Sequence, residues 1–298
     1  MQGKFPRDDE VAHTLVSLAQ RLSKIYVAHC APRAVLLAGS AAEGLADEFS
    51  DLDVIAYYED AIPDDARLKG VRAELAAENY REAFPRNDHA CAEAYRLRGI
   101  DVEVAHFEIA EVERRLSNAL AGHDPGSTDH KAVMGIQRGV PLHGADLIQE
   151  WQARCAEMPD ALARAMVEHY LRQTVPLWYF AEALQRRDAT LWVQQTLATN
   201  ALNVLGVLAG LNRRFYSTYQ MKRMRNFIDS LAIAPANLAE RLEAVVRSDD
   251  RQGIELLEAL VRETLELVAL HMPEANTSVL RYAPGARARA WRVTNVGK

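Results

Sequence analysis

The chain has 298 residues, of which 49% are hydrophobic, and its formal net charge at pH 7 is -6. A chain of this length can bury one large hydrophobic core or two ordinary ones. The acidic balance gives no general attraction to nucleic acids or anionic membranes, so a nucleic-acid partner would need a local basic patch. No apolar stretch reaches the roughly 18 residues that a membrane span requires. The N-terminus has no apolar signal-peptide core, so we expect a cytoplasmic protein.

The three cysteines are widely separated and form neither a CxxC pair nor a cluster with histidine. Cys30, Cys91 and Cys155 are therefore expected to be reduced thiols in a reducing compartment, which agrees with a cytoplasmic location.

The first 120 residues combine strand and helix patterns, which are identified by hydrophobic periodicity and by Gly and Pro boundaries. In chain order, the patterns predict a helix over 8–29, strands over 34–38 and 51–58, a helix over 64–83, a hairpin with strands over 92–98 and 100–107, and a helix over 108–120.

Beyond residue 145 the periodicity is helical up to the C-terminal tail. It predicts helices over 146–157, 160–186, 189–209, 218–233, 237–247 and 251–271, with Pro176 kinking the second. The sequence thus predicts an α+β protein with a mixed sheet and helices over 1–140 and an all-α helical bundle over 141–282. The Arg- and Gly-rich residues 283–298 are expected to form a mobile tail.

Chemistry-bearing residues follow the first predicted strand. Gly39 lets the backbone approach a ligand closely, and Ser40 begins a short helical turn whose N–H groups and hydroxyl can bind phosphate oxygens. Asp51 and Asp53 are two residues apart on the next strand, so their carboxylates share one face. Such hard oxygen ligands suit Mg²⁺, and two ions about 4 Å apart could stabilise both oxygens of a phosphoryl displacement.

A third carboxylate is expected from the second strand of the hairpin. Asp101 and Glu103 share one face of that strand, while Ile100, Val102 and Val104 lie on the other. Burying two carboxylates on one face of a strand rich in β-branched residues would require a cation to compensate their charge. The alternation of side chains along the strand does not choose between Asp101 and Glu103. Either residue could bind a metal ion or act as the general base for an acceptor hydroxyl.

The spacing of the Gly-Ser pair and the two aspartates, with Gly44 between them and Ser50 just before Asp51, resembles the signature of the polymerase-beta-like nucleotidyltransferase superfamily. The resemblance is stronger to its small bacterial members, including the streptomycin, kanamycin and lincosamide nucleotidyltransferases. It covers roughly residues 33–107. The Gly-x-Val-Glu-Val pattern at 99–104 is similar to the third-carboxylate strand of that group, which gives Glu103 the role and makes Asp101 second.

The resemblance implies transfer of a nucleoside monophosphate, AMP from ATP, with two Mg²⁺ ions and release of pyrophosphate. Many members carry Arg soon after the Gly-Ser pair, but this chain has Ala41 and Ala42. We therefore expect the phosphate-contacting cation elsewhere, with Lys222 or Arg213 of the basic and aromatic stretch 211–225 as candidates.

The acceptor of the transferred group stays open on the sequence. A small hydroxyl compound, a protein side chain and an RNA end are all compatible with the motif, and the acidic net charge slightly favours a cationic small molecule. The alternative to an enzyme is a non-catalytic nucleotide-binding module or the partner of a helical toxin. The intact acidic residues of the motif argue against that alternative.

Overall fold

The computed structural model describes residues 8–121 and 124–290. The chain divides into two compact units, each discontinuous in sequence. The first contains residues up to 120 together with 131–157, and the second contains 121–130 together with 158–298. The boundary expected from the sequence, at residue 140, falls inside the first unit.

The first unit contains all the strands of the described chain and the helices that pack with them. Its elements are α1 (Asp8–Cys30), β1 (Ala34–Leu37), α2 (Gly39–Ala42), β2 (Leu52–Tyr58), α3 (Asp65–Leu75), β3 (Glu78–Phe84), β4 (Ala90–Leu97), β5 (Ile100–Glu108), α4 (Ile109–Ala121), α5 (Asp129–Arg138), β6 (Val140–His143) and α6 (Ala145–Arg154). The end of α4 and the start of α5 belong to the second unit.

The strands form one six-stranded sheet in the order β3-β4-β5-β2-β1-β6. Strands β2 and β5 are parallel, and every other neighbouring pair is antiparallel. The predicted mixed sheet, and with it the predicted α+β fold class, is confirmed. The parallel pair matters most, because it places residues from two distant segments of the chain side by side in register.

One face of this sheet packs against α1 and α3 and forms the hydrophobic core of the unit. Leu22 and Tyr26 of α1 are fully buried there, together with Val35, Val54 and Val104 from the three central strands. Since side chains alternate along a strand, the residues between these positions lie on the opposite face of the sheet. That second face carries the acidic residues identified in the sequence.

The helix predicted over 64–83 is wrong in its second half. Helix α3 ends at Leu75, and Ala76 adopts a left-handed conformation with φ of +51°. The chain then forms β3 from residue 78, which pairs with β4 at the edge of the sheet. The residues of β3 have good helix propensity, but pairing with a neighbouring strand outweighs a preference of a few tenths of a kcal/mol per residue.

The second unit is helical. Its elements are α7 (Asp160–Gln173), α8 (Leu177–Gln185), α9 (Thr190–Leu211), a 3₁₀ helix (Thr218–Arg223), α10 (Met224–Asp229), α11 (Leu238–Arg247), α12 (Asp250–His271) and a second 3₁₀ helix (Thr277–Val279).

Two predicted helices are interrupted in the second unit. The segment 160–186 is broken rather than kinked before Pro176, and the amide of Asn200 replaces the missing helical bonds by accepting from Val175 N at 3.0 Å and donating to its oxygen at 2.7 Å. The segment 218–233 begins as a 3₁₀ helix and ends as a helix at Asp229.

The segment that follows the helices of the second unit is bonded to them. Ala283 O accepts from the indole of Trp178 at 3.1 Å, and Arg287 Nη2 lies 2.8 Å from Glu258 Oε2. Ala283 and Arg287, in the segment expected from the sequence to be mobile, therefore have hydrogen-bond partners, while 291–298 lie outside the described residues.

The three cysteines are buried free thiols, as predicted, and burial raises the pKa of each to about 11. Within 8–121 and 124–290, no helix combines the length and the apolar character needed to cross a bilayer.

Candidate functional site

The turn after β1 brings Gly39 against Asp53. Gly39 has φ of +64°, a conformation that glycine adopts without the penalty of a Cβ atom. A Cβ built at this position would collide with the carboxylate of Asp53. Ala38 N donates to the backbone oxygen of Asp53 at 2.9 Å and so fixes the two segments together. Gly39 is therefore required twice, for its backbone conformation and for the space that the Asp53 side chain occupies.

Asp53 and Glu103 are direct neighbours on the parallel strands β2 and β5. Their flanking residues Val54 and Val104 are buried in the core, so both carboxylates are on the opposite face of the sheet. Adjacent strands are about 4.8 Å apart, which puts the two acidic side chains within reach of one ligand. The register thus places the Asp-x-Asp segment beside the strand that carries Glu103.

The other two predicted acidic residues lie further out. Asp51 is exposed just before β2, and the loop before it is held by Ser50, whose hydroxyl donates to Asp47 Oδ1 at 3.1 Å. Asp101 is exposed at the start of β5, and its Oδ1 accepts from Arg96 Nε at 2.8 Å. Because Asp101 already has a cationic partner, Glu103 is the better placed of the two to act with Asp53.

A magnesium ion has a partial set of ligands here. Among the described residues, no group of three or more His, Cys, Asp or Glu side chains has the spacing of a metal site. Asp53 and Glu103 nevertheless supply hard oxygens from adjacent strands, and the Asp53 carboxylate occupies a cradle that only glycine leaves open. Mg²⁺ characteristically takes one or two carboxylates and completes its shell with phosphate oxygens and water, so the donor set fits it.

A cleft of about 740 Å³ extends from Glu103 toward β3 and β4. Its rim carries Phe49, whose side chain is exposed although it is a large apolar group (87% exposed). The lining also contains charged and polar residues of both signs, namely Glu48, Ser50, Asp51, Asn79, Arg81, Arg96, Asp101 and Glu103. A volume of this size can hold a nucleotide-sized or drug-sized molecule.

The turn at Gly39 offers a modest anion site. Helix α2 has only four residues, and no side chain caps its start, which leaves its first N–H groups available. Ser40 accepts through its backbone oxygen from Leu45 N at 2.9 Å, and this bond shapes the loop that follows. The expected phosphate cradle therefore depends on a few N–H groups and the Ser40 hydroxyl rather than on a long helix.

The two cations expected to contact phosphate, Arg213 and Lys222, both lie in the helical unit. Arg213 donates from Nε and Nη2 to Asp160 Oδ1, at 2.9 and 2.7 Å, and Lys222 is exposed on a 3₁₀ helix. A third cation, Arg138, was not among the predicted candidates, and its Nη1 lies 3.0 Å from Glu43 Oε2. Since Glu43 directly follows α2, Arg138 is the cation that the structure places beside the Gly39 turn.

The sequence interpretation also missed a polar network that is buried on the core face of the sheet. Glu93 of β4 is buried, and its carboxylate accepts hydrogen bonds from Tyr26 and Arg72. Burial raises the pKa of Glu93, but hydrogen bonds from its neighbours outweigh that effect and hold the pKa below its ordinary value. Glu93 is thus an ionised group that ties α1 and α3 to the sheet.

His106 belongs to the same network. It lies on β5 on the face opposite Glu103, and it is fully buried. Its Nδ1 is 3.0 Å from the hydroxyl of Tyr58, and its Nε2 is 3.5 Å from Glu93 Oε1. Burial lowers the pKa of His106, so the ring is neutral. On the core face of the sheet, the network connects β2, β4 and β5. It therefore fixes the two strands that carry Asp53 and Glu103.

Comparisons with known proteins find similarity among solved structures. The search of protein-family models found no match, and the search of curated proteins found none either. Among solved structures, the chain is similar to a nucleotidyltransferase-like protein from Exiguobacterium sibiricum, with 10% sequence identity and a TM-score of 0.41 over 89% of this chain and 80% of that one.

Proposed function

We propose that the chain is a magnesium-dependent nucleotidyltransferase that transfers a nucleoside monophosphate, AMP from ATP, to a hydroxyl group of an acceptor. The observation that carries the proposal is the pairing of Asp53 with Glu103 on parallel strands, with the Asp53 carboxylate seated against Gly39. A turn for phosphate and two carboxylates on one open face are what phosphoryl transfer requires, because its catalysis consists mainly of positioning and charge stabilisation.

Each residue has a defined task in this reaction. The N–H groups after Gly39 and the Ser40 hydroxyl bind the phosphates that leave, and Arg138 lies beside them as a cation. The acceptor oxygen attacks the α-phosphorus, the bond from that phosphorus to the bridging oxygen breaks, and pyrophosphate departs. The proton of the acceptor hydroxyl passes to Glu103, which acts as the general base.

Asp51, Asp53 and Glu103 are the residues that would hold Mg²⁺. The ion supplies Lewis-acid stabilisation of the charge that develops on the phosphate oxygens. Asp53 is the central ligand in this proposal, because it lies between the phosphate turn at Gly39 and Glu103. Asp51 would reach the site from the loop before β2, and Asp101 stays engaged with Arg96.

The test is a transfer assay with ATP labelled at the α-phosphate. The full-length protein is incubated with Mg²⁺ and a panel of hydroxyl acceptors, and labelled product and pyrophosphate are measured together. The proposal predicts that both appear in equal amounts with at least one acceptor and that neither appears when the Mg²⁺ is chelated.

Two outcomes would contradict the proposal. Release of inorganic phosphate instead of pyrophosphate would indicate attack at the γ-phosphorus and a different reaction. Tight binding of ATP without transfer to any member of a broad acceptor panel would favour the alternative of a non-catalytic nucleotide-binding module.

A further inference from the structure

A row of side chains crosses the open face of the sheet at the site. Arg81 of β3 is opposite Ala94 of β4, Ala94 is opposite Glu103 of β5, and Glu103 is opposite Asp53 of β2. Residues in register on adjacent strands point to the same face of a sheet. Ala94 is small, so no bulky side chain fills the space between the guanidinium of Arg81 and the two carboxylates. All of this row except Asp53 lines the 740 Å³ cleft.

A bulge in β3 is the reason that Arg81 belongs to this row. Glu78 pairs with Arg96, but the next pair in the ladder is Arg81 with Ala94, which leaves one extra residue in β3. Asn79 absorbs that residue with φ of +54°, a left-handed conformation that asparagine tolerates better than most residues. In an unbulged strand, Tyr80 would be opposite Ala94 instead.

The bulge also determines the face of the sheet on which Tyr80 lies. The guanidinium carbon of Arg72 lies 3.9 Å from the centroid of the Tyr80 ring, and Arg72 comes from α3 on the core face of the sheet. The bulge therefore sends an aromatic side chain to the helix side and an arginine into the cleft. Bulges that redirect side chains are frequent beside active sites.

Arg81 carries an uncompensated charge in the described structure. The cleft contains a second arginine, Arg96, but Asp101 neutralises it at 2.8 Å. Among the described residues, none forms a hydrogen bond or an ion pair with Arg81. A guanidinium facing a cleft presents a fork of donors that matches the oxygens of a phosphate or a carboxylate.

We infer that Arg81 binds an oxyanion, a phosphate or carboxylate group, on the acceptor of the transfer reaction. This rests on the proposed function and identifies the acceptor class. Gly39 lies on the β1 side of Asp53, and Arg81 lies beyond Glu103 on the other side. In an in-line displacement the acceptor and the leaving pyrophosphate are on opposite sides of the phosphorus. The side that carries Arg81 therefore belongs to the acceptor, which is anionic rather than the cationic compound that the net charge suggested.

The binding test uses inorganic phosphate as the probe and does not depend on catalysis. Phosphate is titrated into the full-length protein by calorimetry, with and without Mg²⁺ and a non-hydrolysable ATP analogue. Arg81→Gln should bind phosphate about tenfold more weakly than wild type, as expected for the loss of a charge-assisted hydrogen bond. The matched control is Arg21→Gln, which removes the same charge from an exposed position of α1 and should change nothing.

The outcomes separate the possibilities. Phosphate binding that persists with the nucleotide analogue and weakens only in Arg81→Gln supports the inference. Equal phosphate affinity in wild type and Arg81→Gln overturns it, and so does displacement of phosphate by the analogue, because Arg81 would then belong to the nucleotide phosphates.

A second arm links the inference to the reaction. Among paired acceptors, glycerol phosphate and glycerate should be used at least tenfold better than glycerol by wild type, and this preference should disappear in Arg81→Gln. Transfer with no preference for the anionic acceptors overturns the inference and leaves the proposed function standing. If no acceptor is used at all, the proposed function fails, and the calorimetric comparison still decides whether Arg81 binds an oxyanion.

Discussion

Replacing Gly39 by alanine should separate the function of this turn from its contribution to stability. The added Cβ meets φ of +64°, which costs an L-residue about 1–2 kcal/mol. It also meets the carboxylate of Asp53 inside contact distance. Since a carboxylate at the end of a short side chain can rotate away, the second effect moves Asp53 instead of unfolding the protein. A displacement of about 1 Å at a catalytic group can lower a rate about a hundredfold.

Gly44 provides the matched control for this substitution. It has φ of +69°, but nothing lies within 4 Å of the Cβ that alanine would add. Both variants should therefore lose about 1–2 kcal/mol of stability, measured by urea unfolding, whereas only Gly39→Ala should lose transfer activity, by about a hundredfold or more. If the two variants have the same activity, the contact between Gly39 and Asp53 has no catalytic importance and the reasoning is refuted.

Three further predictions concern the site carboxylates, the metal and the buried network around Glu93. Glu103→Gln should lower the transfer rate at least about a hundredfold while Asp101→Asn costs clearly less, and the reverse order in steady-state assays would make Asp101 the third carboxylate. Mg²⁺ should raise the melting temperature only when a nucleoside triphosphate is present, because carboxylates alone hold it loosely; an equal effect of triphosphate with and without metal in a thermal-shift assay would contradict this. Glu93→Gln should destabilise the fold by about 3 kcal/mol, since it leaves Arg72 without its buried partner, against less than about 1 kcal/mol for the exposed Glu182→Gln. Because hydrogen bonds hold the pKa of Glu93 below its ordinary value in the folded state, its stabilising contribution is present above that ordinary value and is lost as the pH falls through the lowered folded-state pKa. The difference in unfolding free energy between wild type and Glu93→Gln should therefore become smaller in acid, as measured by urea unfolding at a series of pH values.

The part of the site that local sequence patterns encode could be predicted. The strand before Gly39 and the hairpin after residue 90 follow from apolar runs bounded by Gly and Pro, and both are present in the structure. The alternation of β5 placed Glu103 on one face and Val102 and Val104 on the other. The alternation of side chains along a strand does not predict which strand pairs with it. The register of Asp53 with Glu103 depends on tertiary structure, and it distinguishes Glu103 from Asp101.

The features that were missed have non-local causes. Strand β3 looks helical in isolation and becomes a strand because β4 offers an edge. Arg81 faces the cleft only because of the bulge at Asn79, which no periodicity reveals. Glu93 lies between Ala92 and Ala94 on β4, and its partners Tyr26 and Arg72 come from two distant helices. Such a buried network can be recognised only after the fold has brought its members together.

The most direct test of the central claim is the transfer assay on Asp53→Asn, beside Asp60→Asn as an exposed control that removes the same charge. Asp53 is proposed to be the main ligand of Mg²⁺, and its loss removes stabilisation worth several kcal/mol in the transition state. We predict that Asp60→Asn transfers labelled AMP at the wild-type rate, and that Asp53→Asn keeps its circular dichroism spectrum and melting temperature but transfers none. Transfer by Asp53→Asn at a rate near that of wild type would contradict the account.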